Sequence, residues 1–406
     1  MTSSRFSYSR PRRAAAAVVA AALLAACGTD LTVTNPGPLQ DAELNTPSAV
    51  PALVNGMSGD LSYALGNYID RGALASGELT EAGNFSAEQH YYEGVISPDD
   101  VNPDWANMQT ARWSAEHGLE RMRAVLGDAF EGNTNTPRAY LYAGFANRLL
   151  GENVCVGVID GGAPQSDSVY FQRADSLFTR ALTLAQAQKN TTVQNAALGG
   201  RASVRADLGN WSGAAADAAL VPTSFVFNAI FSTNTPRENN DLANQTITRR
   251  ETTVWGTTFA ATKSDPRTPW DTVKTTSGKV QTGQDGKTPF FRQGKYTSLG
   301  ANVPLTKGTE MLLIRAEAAL RAGDVAGAMT LINQERAQYK LAPVAAATAG
   351  DAETILQSER GSVLWLEGRR LWDLRRWLAD GTDTFLKGRS TCVPASRNEI
   401  ASNPNM

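Results

Sequence analysis

Histidine and cysteine are scarce in this chain of 406 residues, with two of the first and three of the second. His90 and His117 stand alone, without a His-Glu-x-x-His pattern or any other spacing that gathers metal ligands. A Gly-x-Ser-x-Gly elbow, a Gly-x-x-x-x-Gly-Lys phosphate loop and an EF-hand spacing are also missing, so the common hydrolase, nucleotide and calcium signatures are not present. Charge of one sign is lacking too. The formal net charge is −2, from 38 basic and 40 acidic residues, which gives no mark of a nucleic-acid binder. Long apolar runs are confined to one, Ala14 to Ala26, well short of the ~20 residues that span a bilayer.

That single run has a meaning of its own. Arg5, Arg10, Arg12 and Arg13 precede it, and Leu24-Ala25-Ala26-Cys27 closes it with small residues before a cysteine. The order is that of a secretory signal ending in a bacterial lipobox. Residues 1–26 are therefore expected to be removed and Cys27 to be lipidated, leaving an anchored but otherwise soluble chain. The remaining cysteines, Cys155 and Cys392, lie in Gly/Pro/Ser-flanked loop sequence. In an oxidising envelope compartment they can form a bridge; two inert thiols are the alternative.

After a Thr/Asn/Pro/Gly tether to residue 45, helical periodicity begins. Thr46-Pro47 offers a cap and a first-turn proline, followed by Leu53, Met57, Leu61, Leu65 and Tyr68 along one face. Ser76 to Pro103 is polar and glycine-containing and reads as non-helical. Helices return near Trp105, at Pro137 to Leu149 and at Phe171 to Ala187. Two later stretches repeat one another in character: Arg205-Ala206-Asp207-Leu208-Gly209-Asn210-Trp211-Ser212-Gly213-Ala214 and Ala319-Leu320-Arg321-Ala322-Gly323-Asp324-Val325-Ala326-Gly327-Ala328. In each, glycine suits a left-handed helix end and Asn or Asp suits the next N-cap, the turn of a tetratricopeptide-like (TPR-like) hairpin. Such hairpins cannot bury their own faces and are expected to stack on one another. The boundaries read as 27–45 tether, 46–221 helical scaffold, 222–304 an irregular Thr/Asn/Gly/Pro-rich lobe with short strands, and 305–406 a second hairpin and tail.

Near the end, the run from Glu359 to Trp377 places charge where a helix should be apolar. Leu356, Val363, Leu364, Leu371, Leu374 and Leu378 recur at helical spacing, and Arg360 and Glu367 fall among them. Read as one helix, the run separates Arg360 from Glu367 by two turns, so each needs a partner on another element. Asp373 has Arg369 and Arg376 in reach at helical spacing.

The order Glu359-Arg360, Glu367-Gly368 and Asp373-Leu374-Arg375-Arg376 resembles the C-terminal motif of the SusD/RagB family of outer-membrane nutrient-binding lipoproteins. Val363 and Trp365 depart from its usual pattern. Asn35-Pro36, Asp265-Pro266-Arg267, Cys392-Val393-Pro394, Glu399 and Asn403-Pro404 extend the likeness along the chain. The resemblance implies a mainly α fold, a SusD-like scaffold of TPR-like αα-hairpins with a large irregular lobe. It also implies a TonB-dependent SusC-like transporter as partner, a nutrient as ligand, and a surface-facing place on the outer membrane.

The aromatics in the irregular regions fit an oligosaccharide, whose C–H faces stack on aromatic planes. Tyr91, Tyr92, Trp255 and Trp270 have polar, non-helical neighbours and are the best platforms. Arg360, Glu367 and Asp373 are expected to be a structural charge network. No catalytic residue, cofactor or metal is expected. A periplasm-facing TPR-type scaffolding lipoprotein is one rival reading. A surface glycoside hydrolase using carboxylates such as Glu78 and Glu81, or Asp99 and Asp100, is another.

Overall fold

The computed structural model describes residues 41–406; the Cys27 and signal-segment expectations lie outside the described residues. A 3-10 turn at Pro47–Ala49 runs straight into α1, Val50–Ala75, whose Val50, Val54, Met57, Leu61, Leu65 and Tyr68 are buried at three- and four-residue intervals. That face packs on α3, Asn102–Leu126, through Met108, Ala111, Ala115 and Leu119. Between them the stretch read as non-helical holds a two-turn helix, α2, Ser86–Glu93. It is polar and too short for a periodicity to emerge, and it stops at Gly94 in the left-handed region.

Helices α4, Thr136–Asn153, and α5, Ser168–Ala187, form an antiparallel pair in which Phe145 meets Phe178 edge-on at 4.9 Å. Helix α4 continues through Gly151, where the Phe171 ring occupies the space a side chain would need. The first repeat is α6, Thr191–Asp207, and α7, Trp211–Ala219; the second is α8, Gly308–Arg321, and α9, Val325–Gln338. Gly209 and Gly323 both adopt positive φ, at 75° and 81°. Asn210 accepts from the Gly213 amide at 3.1 Å and Asp324 from that of Gly327 at 2.8 Å, so both turns are capped alike. The hairpins stack on one another, with the Arg321 guanidinium 4.4 Å from the Trp211 ring centre.

Residues 222–304 carry short strands that pair locally or with the scaffold. β2, Val226–Ala229, is antiparallel to β6, Val303–Lys307; β1, Thr80–Glu81, pairs with β3, Thr252–Thr253; β4, Trp270–Thr272, pairs with β5, Phe291–Gln293. A buried charge cluster ties the segment to the second hairpin: Arg267 donates to Asp265, Glu335 and Glu359. The chain end returns to α4, where Val393 donates to the Asn153 carbonyl at 2.8 Å. Cys155 and Cys392 are joined there, Cα to Cα 5.1 Å.

The run from Glu359 to Trp377 is two helices, not one. α10, Ala349–Val363, and α11, Arg370–Asp380, are separated by a turn in which Leu366 and Gly368 have φ of 56° and 71°. Gly368 takes that conformation without strain; Leu366 does not, and its amide is held by the Glu78 carboxylate at 2.8 Å. The apolar periodicity crosses the break because each helix buries one face, α10 in a cluster with the second hairpin and α11 in the main core. Arg360 therefore reaches Asp373 across the turn at 3.0 Å, and Arg376 joins it at 2.8 Å. Arg369, read as a neighbour of Asp373, goes instead to Glu152 at 2.7 Å and Glu310 at 3.0 Å. Glu367 lies in the turn itself and accepts from Lys295 and Lys307.

These buried acids fall into two groups. Burial pushes Asp70 up to about 7, although Thr252 donates to it, and pushes Glu335 up to about 8 despite Arg267. Asp373 and Glu367 are also desolvated, but their cationic partners outweigh burial and hold both below the usual range. For Asp70 the folded pKa lies above the unfolded value near 3.8, so the folded state binds more protons between them. Its contribution is full below that unfolded value and is lost as pH rises through about 7. Asp70→Asn is expected to flatten the decline in stability across that interval. Urea midpoints measured at several pH values check this; parallel curves for the two proteins would contradict it.

Candidate functional site

Successive residues on a helix point about 100° apart, and this separates the two adjacent tyrosines of α2. Tyr91 faces inward and is fully buried, its hydroxyl donating to Asp104 at 2.8 Å while Arg71 holds the same carboxylate at 2.9 Å. It is a core residue, which corrects the expectation of a ligand platform. Tyr92 faces outward and is 37% exposed. Trp270 is half-buried, its ring stacked on Phe291 at 4.6 Å and 3°, with the Lys263 ammonium 4.9 Å from its centre. Trp255 is 41% exposed on the turn after β3.

Tyr92 lines a cleft of about 470 Å³ with Glu93, Gly77, Thr257, Arg370, Asp383, Phe385 and Arg389. Gly256, the neighbour of Trp255, forms part of its wall. Phe385 is 41% exposed and its ring lies against Gly77, where any side chain would collide with it. The Arg389 guanidinium sits 5.0 Å from the centre of the Phe385 ring and donates to the Tyr92 carbonyl, linking the two aromatics. Arg370, the first residue of α11, brings a second guanidinium, 5.4 Å from the Phe259 ring. Behind the cleft, burial raises Glu78 to about 6, while the nearby Arg370 charge pulls it back.

Phe385, Arg370, Asp383 and Arg389 were not among the residues expected from the sequence. Phe385 carried a readable signal, an aromatic in a Thr/Asp-rich segment bounded by Gly381 and Gly388. The arginines carried none, because only folding shows which of many arginines lacks a partner.

Other clefts are less suggestive. One of about 520 Å³ is lined by Glu116, His117, Glu120 and Arg173, but these pair among themselves, Arg173 with Glu116 at 2.6 Å and His117 with Glu120 at 3.0 Å. The carboxylates named for a hydrolase are likewise engaged. Glu78 accepts from the Leu366 amide and from Ser76, Glu81 from the Gly83 amide at 2.7 Å, Asp99 from Arg397 at 3.1 Å, and Asp100 from Ser97 at 2.8 Å. Among the described residues no group of three or more His, Cys, Asp or Glu is placed to hold a metal. Also among them, no helix is long and apolar enough to cross a membrane.

In sequence, residues 231–405 match the SusD family model. No curated protein matches the chain. Among solved structures, a SusD superfamily protein from Bacteroides thetaiotaomicron superposes with a TM-score of 0.67 at 15% identity, covering 89% of this chain and 97% of its own. A SusD-like protein from Bacteroides fragilis gives 0.66 at 13% identity, with 90% and 97% covered. A SusD-like carbohydrate binding protein from Bacteroides vulgatus gives 0.58 at 16%, with 81% and 83% covered. Residues 231–405 are thus similar in sequence to the SusD family, and the helical fold that carries them is similar to that of solved SusD-like proteins.

Proposed function

We propose that the chain is a lipid-anchored, surface-facing outer-membrane protein that holds an oligosaccharide in the Tyr92–Phe385 cleft and passes it to a TonB-dependent SusC-like transporter. One observation carries the reading: two large aromatic side chains stay exposed on one cleft, with arginine, threonine and carboxylate groups between and beside them. A pyranose ring offers apolar C–H faces to Tyr92 and Phe385, and its hydroxyls suit the polar groups around them. Trp255, exposed beside the cleft wall, extends the apolar surface toward a longer chain. The match of residues 231–405 to the SusD family and a fold similar to that of a carbohydrate binding protein support the same class of ligand.

In this reading the protein binds and does not catalyse. Cys27 supplies the anchor, and the energy for uptake comes from the transporter. The test is calorimetric titration of the protein with an oligosaccharide panel, repeated on Tyr92→Ala and Phe385→Ala. Each substitution is expected to weaken binding by about 1 to 3 kcal/mol, the scale of burying one large side chain, with little change in melting. Wild-type affinity in both variants would remove the cleft from the reading.

A further inference from the structure

We infer that the cleft selects an acidic saccharide, one bearing a carboxylate or a sulfate, and that Arg370 and Arg389 are its anion contacts. This rests on the reading of the cleft as an oligosaccharide site and adds the class of ligand.

The basis is a contrast between the arginines of the buried charge clusters and those of the cleft. Arg267 and Arg376 each hold two or more carboxylates, and Arg369 holds Glu152 and Glu310. Arg370 and Arg389, which share one cleft, hold none. Among the described residues Arg370 makes no ion pair and no hydrogen bond, and its Nε is buried without an acceptor. Arg389 donates once, to the Tyr92 carbonyl, and its Nε is also buried and unaccepted. Partial burial without a nearby carboxylate pulls the Arg389 guanidinium below its ordinary value, with Tyr92 acting in the other direction.

The acids beside them do not fill the gap. Asp383 accepts from the Phe385 amide at 2.7 Å and Glu93 from Gln89 at 2.7 Å, each orienting its own segment. Glu78 lies close enough to feel Arg370 but is bonded to the Leu366 amide and Ser76 instead. Two guanidinium forks, each with donors to spare, are thus placed next to exposed aromatic rings. A planar fork matches the paired oxygens of a carboxylate or sulfate, and a charge-assisted bond to it is stronger than a bond to a neutral hydroxyl. A uronic acid or sulfated sugar satisfies both halves of the cleft, its ring on Tyr92 or Phe385 and its anion on the arginines.

The experiment compares saccharides differing in charge. Oligogalacturonides are titrated calorimetrically in the free-acid and fully methyl-esterified forms, beside chondroitin sulfate oligosaccharides and neutral malto- and xylo-oligosaccharides. The proteins are wild type, Arg370→Gln and Arg389→Gln, each checked for an unchanged melting curve. Arg389 is the more peripheral of the two, so Arg389→Gln decides the matter if Arg370→Gln does not fold. Binding of an acidic probe is expected, with affinity falling roughly 10- to 100-fold in Arg389→Gln and falling further as salt is raised. Preference between the galacturonide and chondroitin sulfate arms tells carboxylate from sulfate. Neutral probes bound as well as acidic ones, or acidic binding untouched by Arg389→Gln, would overturn the inference and leave the oligosaccharide reading standing. Absence of binding to every probe would overturn both.

Discussion

Replacing Glu367 with alanine is expected to lower the unfolding free energy by about 3 to 5 kcal/mol, the usual consequence of removing one partner from a buried ion pair. The residue is 3% exposed and a single carboxylate oxygen accepts from both Lys295 and Lys307. Those lysines come from outside the C-terminal helices, one from the segment before β6 and one from the end of β6. Without the carboxylate, two ammonium groups would share a buried site with only the Trp365 and Val363 carbonyls as acceptors. Burial already lowers Lys295 to about 8 even with Glu367 present. Arg360→Ala is expected to fall in the same range, since it strips Asp373 of its partner across the turn. Urea unfolding of purified variants is the measurement. Wild-type midpoints combined with lost saccharide binding would assign these residues to the ligand site and end the structural reading.

Opening the Cys155–Cys392 link is expected to be the other large effect. The two residues are 237 positions apart, so in the chain-entropy view the link removes about 5 kcal/mol of unfolded-state freedom. It also fastens the tail beyond Cys392, which is held besides by the bridge between Val154 and Val393 at the end of α4, by Asn403 to the Gly162 carbonyl, by Arg397 to Asp99 and by the Trp105 indole donating to Glu399. The double variant Cys155→Ser/Cys392→Ser should unfold at clearly lower urea and release the tail to proteolysis first. Recovery of both thiols free on non-reducing peptide maps of the protein from an oxidising compartment would dispose of this expectation.

Local sequence by itself determined the helices and their turns. Leu53 to Tyr68 and Phe171 to Ala187 recur at 3.6-residue spacing, and Gly209-Asn210 and Gly323-Asp324 each combine a positive-φ residue with a capping side chain. These are properties of a few neighbouring residues, so they can be read in order along the chain. The short helix Ser86–Glu93 escaped because two turns hold too few apolar positions to define a face. The break at Leu366–Gly368 escaped for the opposite reason. The two helices it separates bury their apolar sides in different clusters, α10 against Leu313 and Ile332 of the second hairpin and α11 in the main core, yet the two faces continue one spacing in sequence.

Tertiary structure alone decided the partners. Asp373 sits within helical reach of both Arg369 and Arg376, yet takes Arg376 and a residue from the preceding helix, because the turn folds Arg360 over it. Tyr91 and Tyr92 are adjacent and chemically identical, and only the packing of α2 on α1 and α3 sends one into the core and leaves the other at the cleft. Arg370 and Arg389 differ from their paired counterparts only in what failed to come near them. Such facts depend on atoms brought together by the fold, from 13 positions apart for Arg360 and Asp373 to hundreds for Gly77 and Phe385, and a local pattern holds no record of which groups will meet when the core closes.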